Sequence, residues 1–168
     1  LASRIILNLY AIIFYMKIDE TLSLKGKYKF TFENIETGEK RVIEKDNLIV
    51  TSGRGWIASR LAQTGSPADI RITHSALGTG TNAPANADTL LQAEVYRKNI
   101  ASATSDNNIA YLTAFYSATE YTGTIKEAGM FINGGAGANT GTLFSRIAID
   151  TVKSAVETLT IDYTITLA

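Results

Sequence analysis

The sequence contains no cysteine and a single histidine, and each scarcity excludes chemistry. Without cysteine there are no disulfides, no thiolate nucleophiles and none of the commonest structural zinc sites. With His74 alone, neither a Ser-His-Asp arrangement nor a multi-histidine metal site has more than one residue to stand on. Its shared parity with Ile70 and Ile72 reads as a partly buried strand histidine. Charge of one sign is missing too: sixteen Lys plus Arg balance sixteen Asp plus Glu, for a formal net charge of +0. No global field therefore steers the chain toward nucleic acid or an anionic membrane. There is no GxSxG and no EF-hand spacing, and Asp69, Asp88 and Asp106 read as turn formers. GTGTNA at Gly78–Ala83 matches the G-x-G-x-x-A dinucleotide pattern in letters only, since Pro84 prevents a helix from opening there. No catalytic residue, metal ligand or cofactor is expected.

What is present is a folding composition. The 168 residues are 45% hydrophobic and 19% charged, with eight Tyr and six Phe. A chain of this length fits one domain and buries roughly 70% of the surface its unfolded form exposes. Arg4 followed by the apolar run Ile5–Tyr15 looks like a signal sequence, but no small-x-small cleavage site follows and the run is shorter than the ~20 residues of a membrane helix. Met16 reads as the start of the protein proper and residues 1–15 as translated upstream sequence. An uncleaved anchor, which would be the one link to a membrane, and a partner-docking strand are the alternatives.

Strand periodicity dominates the rest. Tyr28, Phe30 and Phe32 alternate with Lys27, Lys29, Thr31 and Glu33, a half-buried strand; Gly38 turns the chain and Lys40–Lys45 returns as a hairpin. This hairpin, within residues 16–50, is expected to serve as an attachment unit ahead of a β domain spanning 51–168. Thr51 or Ser52 can cap a short helix reaching about Gln63, with Ile57 and Leu61 on one face and Gly53 and Gly55 loosening its start. Gly65-Ser66-Pro67 ends it. Strands are then expected at 69–77, 94–101, 109–116, 124–132 and 143–149. The clearest strand comes last, with Leu159, Ile161, Tyr163, Ile165 and Leu167 alternating with Thr160, Asp162, Thr164 and Thr166. Ile109–Tyr116 is apolar on both parities, which places it centrally with both faces covered. The fold class that follows is mainly β, an antiparallel β-sandwich-like domain with an N-terminal hairpin and one or two short helices.

Two long loops, 78–88 and the glycine-rich 133–141, cannot build a core and are the places for contacts. Gly78, Thr79, Gly80, Asn82, Asn133, Gly135 and Asn139 are the contact candidates. Glu94 with Arg97, and Glu127 with Arg146, are candidate structural ion pairs. Opposite parity on a continuous strand would send one of Glu94 and Arg97 inward to seek a partner on another strand. Solvated ionic groups are the other reading.

Several landmarks recur in order: Ala76-Leu77-Gly78-Thr79-Gly80, a helix-like Asp88-Thr89-Leu90-Leu91 leading to Glu94-Val95-Tyr96-Arg97, Ile125-Lys126-Glu127-Ala128-Gly129-Met130-Phe131, and Leu143-Phe144-Ser145-Arg146 with Lys153 and the alternating C-terminal strand. With Asn47-Leu48-Ile49-Val50 ahead of the helix, the stretch 47–168 resembles tail-fibre and tail-collar-like structural proteins of bacteriophages. The resemblance implies assembly rather than catalysis, a homo-oligomer with a trimer as first expectation, other virion proteins as partners and a place in the virion. Two other readings stand beside it. One is an extracellular carbohydrate- or surface-binding module, in which Tyr96, Tyr111, Tyr116 or Tyr121 would stack on sugars. The other is a filament subunit that donates Ile5–Phe14 as a strand to its neighbour.

Overall fold

The computed structural model describes residues 23–62 and 71–168. The Ile5–Tyr15 run, Met16, Gln63, Gly65-Ser66-Pro67 and the start of the strand expected from Asp69 lie outside the described residues.

The chain forms β1 (Leu24–Asn34), β2 (Lys40–Asp46), β3 (Leu48–Ile49), a helix α1 (Thr51–Leu61), β4 (Ile72–Gly78), β5 (Glu94–Asn99), β6 (Ser102–Asp106), β7 (Ile109–Tyr116), β8 (Gly123–Ile132), β9 (Thr142–Lys153) and β10 (Glu157–Leu167). They make two five-stranded antiparallel sheets. The first has the order β2-β1-β10-β7-β6 and the second β3-β9-β8-β4-β5. The expected β-sandwich-like class is what the described residues form.

Alternation builds the core. Tyr28, Phe30 and Phe32 of β1 face Leu159, Ile161 and Tyr163 of β10 in register, and all six are fully buried. They pack against Leu77, Ile125, Ala128, Met130, Phe144, Ile147 and Ile149 of the second sheet. Two tyrosines hydrogen bond across the sandwich. The Tyr28 hydroxyl meets Ser145 Oγ at 2.9 Å, and Tyr116 donates to Ser75 at its carbonyl oxygen (3.1 Å) or its Oγ (3.0 Å). Each satisfies a phenol that burial would otherwise leave costly.

Several expectations are corrected. The hairpin of β1 and β2 is not set apart, because β1 pairs with β10 along its whole length and its aromatic residues lie in the larger buried cluster, between the two sheets. β7 is covered on one face only: Leu112, Ala114 and Tyr116 are buried, whereas Tyr111 and Phe115 are each 42% exposed. Asp88–Leu91 is not helical. α1 begins without a side-chain cap, since Ser52 Oγ donates instead to the Leu143 carbonyl (2.8 Å). Gly53 does not loosen the helix; it lets the helix sit on the β9 backbone, where a Cβ would fall 2.9 Å from Phe144 Cα. Ile57 and Leu61 do lie on one face, where both line a shallow groove with Leu24 and Leu167, although Leu61 itself is 80% exposed.

Candidate functional site

Sheet faces are assigned by alternation, and bulges change the assignment. Gly78 pairs with Glu94 while Leu77 pairs with Tyr96, so Val95 is an extra residue in β5. That extra residue places Glu94 and Arg97 on the same face despite their odd spacing. A second register shift, between Ile72 and His74, turns Ile72 into the core and His74 to the opposite side, so the two do not share a face. A third, between Ile125 and Glu127, lets Ile125 point inward and Glu127 outward.

The outer face of the second sheet therefore collects Glu127, Arg146, Glu94, Arg97 and His74. It also carries a small apolar cluster of Val50, Ala76, Leu91, Phe131 and Leu143, all fully buried. Over it lie the two long loops, residues 79–93 and 133–141.

Glu127 is the anchor of the first loop. Its Oε1 accepts the amides of Gly80 (3.1 Å) and Ala93 (2.7 Å), and its Oε2 accepts the Gln92 amide (3.1 Å) and Arg146 Nε (2.8 Å). Arg146 reaches on to Asp88 Oδ2 (2.7 Å) and the Asn82 carbonyl (3.0 Å). One carboxylate and one guanidinium, both buried, thus close both ends of the loop onto the sheet. Burial works against ionisation of Asp88, but the Ala85 amide and the Arg146 guanidinium outweigh it and hold its carboxyl below the usual value. Gly78 and Gly80 have no room for a side chain, because a Cβ at either would collide with the Glu127 side chain.

Arg97 anchors the second loop. It grips Glu94 with two parallel hydrogen bonds, Nε to Oε1 at 2.6 Å and Nη2 to Oε2 at 2.8 Å. Its Nη1 donates to the carbonyls of Gly135 and Thr140, each at 3.0 Å. The guanidinium also lies over the Phe131 ring, 4.7 Å from its centroid. Glu94 Oε2 accepts the Asn139 amide (2.8 Å), and Asn139 Oδ1 accepts the Leu91 amide (3.1 Å), which joins the two loops.

The four residues expected as ion pairs thus meet as Glu94–Arg97 and Glu127–Arg146. Of the contact candidates, Thr79, Gly80, Gly135 and Asn139 spend their backbone or side chain on holding the cap together, Thr79 through its amide on the Ala93 carbonyl and Gly135 through its carbonyl on Arg97, while Gly78 ends β4 opposite Glu94 and Glu127. Asn82 bonds Gln92 and Arg146 through its backbone and keeps its side chain exposed. Asn133, with φ 50°, and Gly135 are exposed. The sequence reading missed the second role of Asp88; a carboxylate in a loop carries no signal of which guanidinium it will meet.

His74 lies at one end of this face, its Nδ1 2.9 Å from Thr73 Oγ1. Burial and the nearby Arg97 charge lower its pKa, partly offset by Glu94. It lines an open groove of about 490 Å³ with Arg71, Thr73, Asn99, Ser102 and Gly134. Among the described residues no three side chains converge as metal ligands, and no helix is long and apolar enough to cross a membrane.

Of the tyrosines considered for sugar stacking, Tyr116 is buried on Ser75, and Tyr96 and Tyr121 pack together with ring centroids 6.2 Å apart. Tyr111 alone is exposed on an open sheet face. The donated strand of the filament reading, Ile5–Phe14, lies outside the described residues.

In comparisons with known proteins, no family model, curated protein or solved structure matches this chain.

Proposed function

We propose that this chain is a structural component of a bacteriophage particle, of the tail-fibre, collar, baseplate or head-decoration kind, acting by assembly with copies of itself and with other virion proteins. The observation that carries the reading is the cap. Two long loops are fixed to a β-sandwich by buried carboxylate–guanidinium pairs, so that Asn82, Asn133 and Gly135 are presented at low entropic cost, as a rigid contact surface requires. The described residues invest their buried charges in holding backbone rather than in a reactive cluster.

Light scattering on the full chain during size-exclusion chromatography tests the reading. A closed oligomer, with a trimer as first expectation, supports it. A monomer at every concentration tested overturns the homo-oligomeric part and favours a surface-binding module. That second reading has one observation of its own, the exposed Tyr111 and Phe115 on a single sheet face, and glycan-array binding abolished by Tyr111→Ala would support it.

A further inference from the structure

The helix α1 covers one end of the sandwich incompletely. Between it and the strand ends lie two shallow hollows of about 240 Å³ and about 190 Å³ that share Ile57 and Leu167. Trp56 and Phe144 line the first, Leu24 and Leu61 the second. Leu24, Trp56 and Ile57 are only half-buried and Leu61 is exposed, so four large apolar side chains along one groove keep surface that it would be favourable to cover.

The amino-terminal end of the described sandwich lies at this groove. Ser23 and Ala168 exchange backbone hydrogen bonds and Leu24 pairs with Leu167, which fixes the point from which residues 1–22 depart at the rim of the second hollow. The inward positions of β1 are the even ones, from Leu24 on the core to Tyr28, Phe30 and Phe32 within it. The same parity upstream reads Leu22, Glu20, Ile18 and Met16, so the apolar alternation of β1 already begins before the strand does.

Charge points the same way. Arg54 and Arg60 border the groove, and no acidic side chain among the described residues lines either hollow. The Arg54 hydrogen bonds go to neutral oxygens, those of the Ile49 carbonyl, Thr51 Oγ1 and Asn86 Oδ1. Asp19 and Glu20 stand between Ile18 and Leu22 in the sequence, whereas the apolar run Ile5–Tyr15 has no acidic residue to answer the arginines.

We propose that this groove is the docking site of residues 16–22 of the same chain, with Leu22 in the second hollow, Ile18 in the first, and Asp19 and Glu20 toward the arginines at its rim. The length of chain suffices. Trp56 and Leu61 are separated by roughly 8 Å of helix axis, and the six residues from Leu24 back to Ile18 reach up to roughly 20 Å. The proposal is independent of the assembly reading, since it concerns a contact within one chain.

Two features of the sequence make the test clean: Trp56 is its one tryptophan, and it has no cysteine. In the full chain, Ile18→Asp with Leu22→Asp should move Trp56 emission to longer wavelength and raise its quenching by acrylamide toward that of the urea-unfolded chain. Ile5→Asp with Ile12→Asp should leave both unchanged. Separately, Ile18→Cys with Ile57→Cys should oxidise to a disulfide within one chain, at a rate independent of protein concentration. A Trp56 signal that ignores Ile18→Asp with Leu22→Asp, or that responds to Ile5→Asp with Ile12→Asp instead, overturns the proposal. No disulfide, or one formed only between chains, overturns it as well, the latter assigning the groove to a second copy. If the aspartate variants lose the circular dichroism of the sandwich, the disulfide decides.

Discussion

Arg146 Nε lies 2.8 Å from Glu127 Oε2, with the two side chains only 3% and 0% exposed. Neither charge is compensated by water, so each depends on the other and on the backbone of the loop between Gly80 and Ala93. Arg146→Met removes the guanidinium and leaves Glu127 and Asp88 facing each other's charge. Breaking one side of a buried pair costs about 3–5 kcal/mol, and urea denaturation should show a loss in that range. The double variant Arg146→Met with Glu127→Gln should recover part of it, and full additivity would mean the pair is not coupled.

The glycines of α1 predict opposite outcomes within one helix. Gly53→Ala places a methyl 2.9 Å from Phe144 Cα, so the helix must lift from β9 at a cost of about 1–3 kcal/mol. Gly55→Ala meets nothing within 4 Å and should stabilise by about 0.5–1 kcal/mol through lower unfolded-state entropy. Thermal melts of the two single variants decide it, and a shift in the same direction for both would contradict this packing.

The cross-sandwich bonds are tested by Tyr116→Phe and Tyr28→Phe. Each removes one buried hydroxyl and leaves a serine on the far sheet short of a partner. A loss of about 1–2 kcal/mol apiece is expected from denaturation midpoints, with no change in the m-value.

Stability should fall as pH drops, in two stages. His74 has a lowered folded pKa, so the unfolded chain binds its proton more readily, and stability present above about pH 6.5 declines below it. Glu120 is held down to about 2 by its bonds to Lys98 and the Ser117 amide, and Asp88 lies below its usual value. Their contribution is full above the unfolded carboxylate range near pH 4 and is lost as the pH falls toward about 2. His74→Gln should flatten the stability profile between pH 7 and 5 while leaving the acid limb in place. A profile unchanged by that substitution would remove His74 as the cause.

Much of the architecture was legible from periodicity alone. Tyr28-Phe30-Phe32 and Leu159-Ile161-Tyr163 alternate without interruption, and uninterrupted alternation in an antiparallel pair excludes any one-residue slip, which would turn one set outward. β6 was not legible, because Ser102–Asp106 has only Ala103 as an apolar residue to betray a face and is a strand through its hydrogen bonds to β7. The apolar Tyr111 and Phe115 misled in the opposite direction, since hydrophobicity cannot distinguish a covered face from one left open.

Composition and alternation determined that this chain is a cysteine-free antiparallel sandwich whose strands bear Glu94, Arg97, Glu127 and Arg146. Tertiary structure alone decided where those four charges point. A bulge shifts every following side chain to the other face at the cost of one residue, and the sequence does not mark Val95 as that residue. Only the pairing with Leu77 and Gly78 sets it, and with it the side of the sheet on which the loops are held.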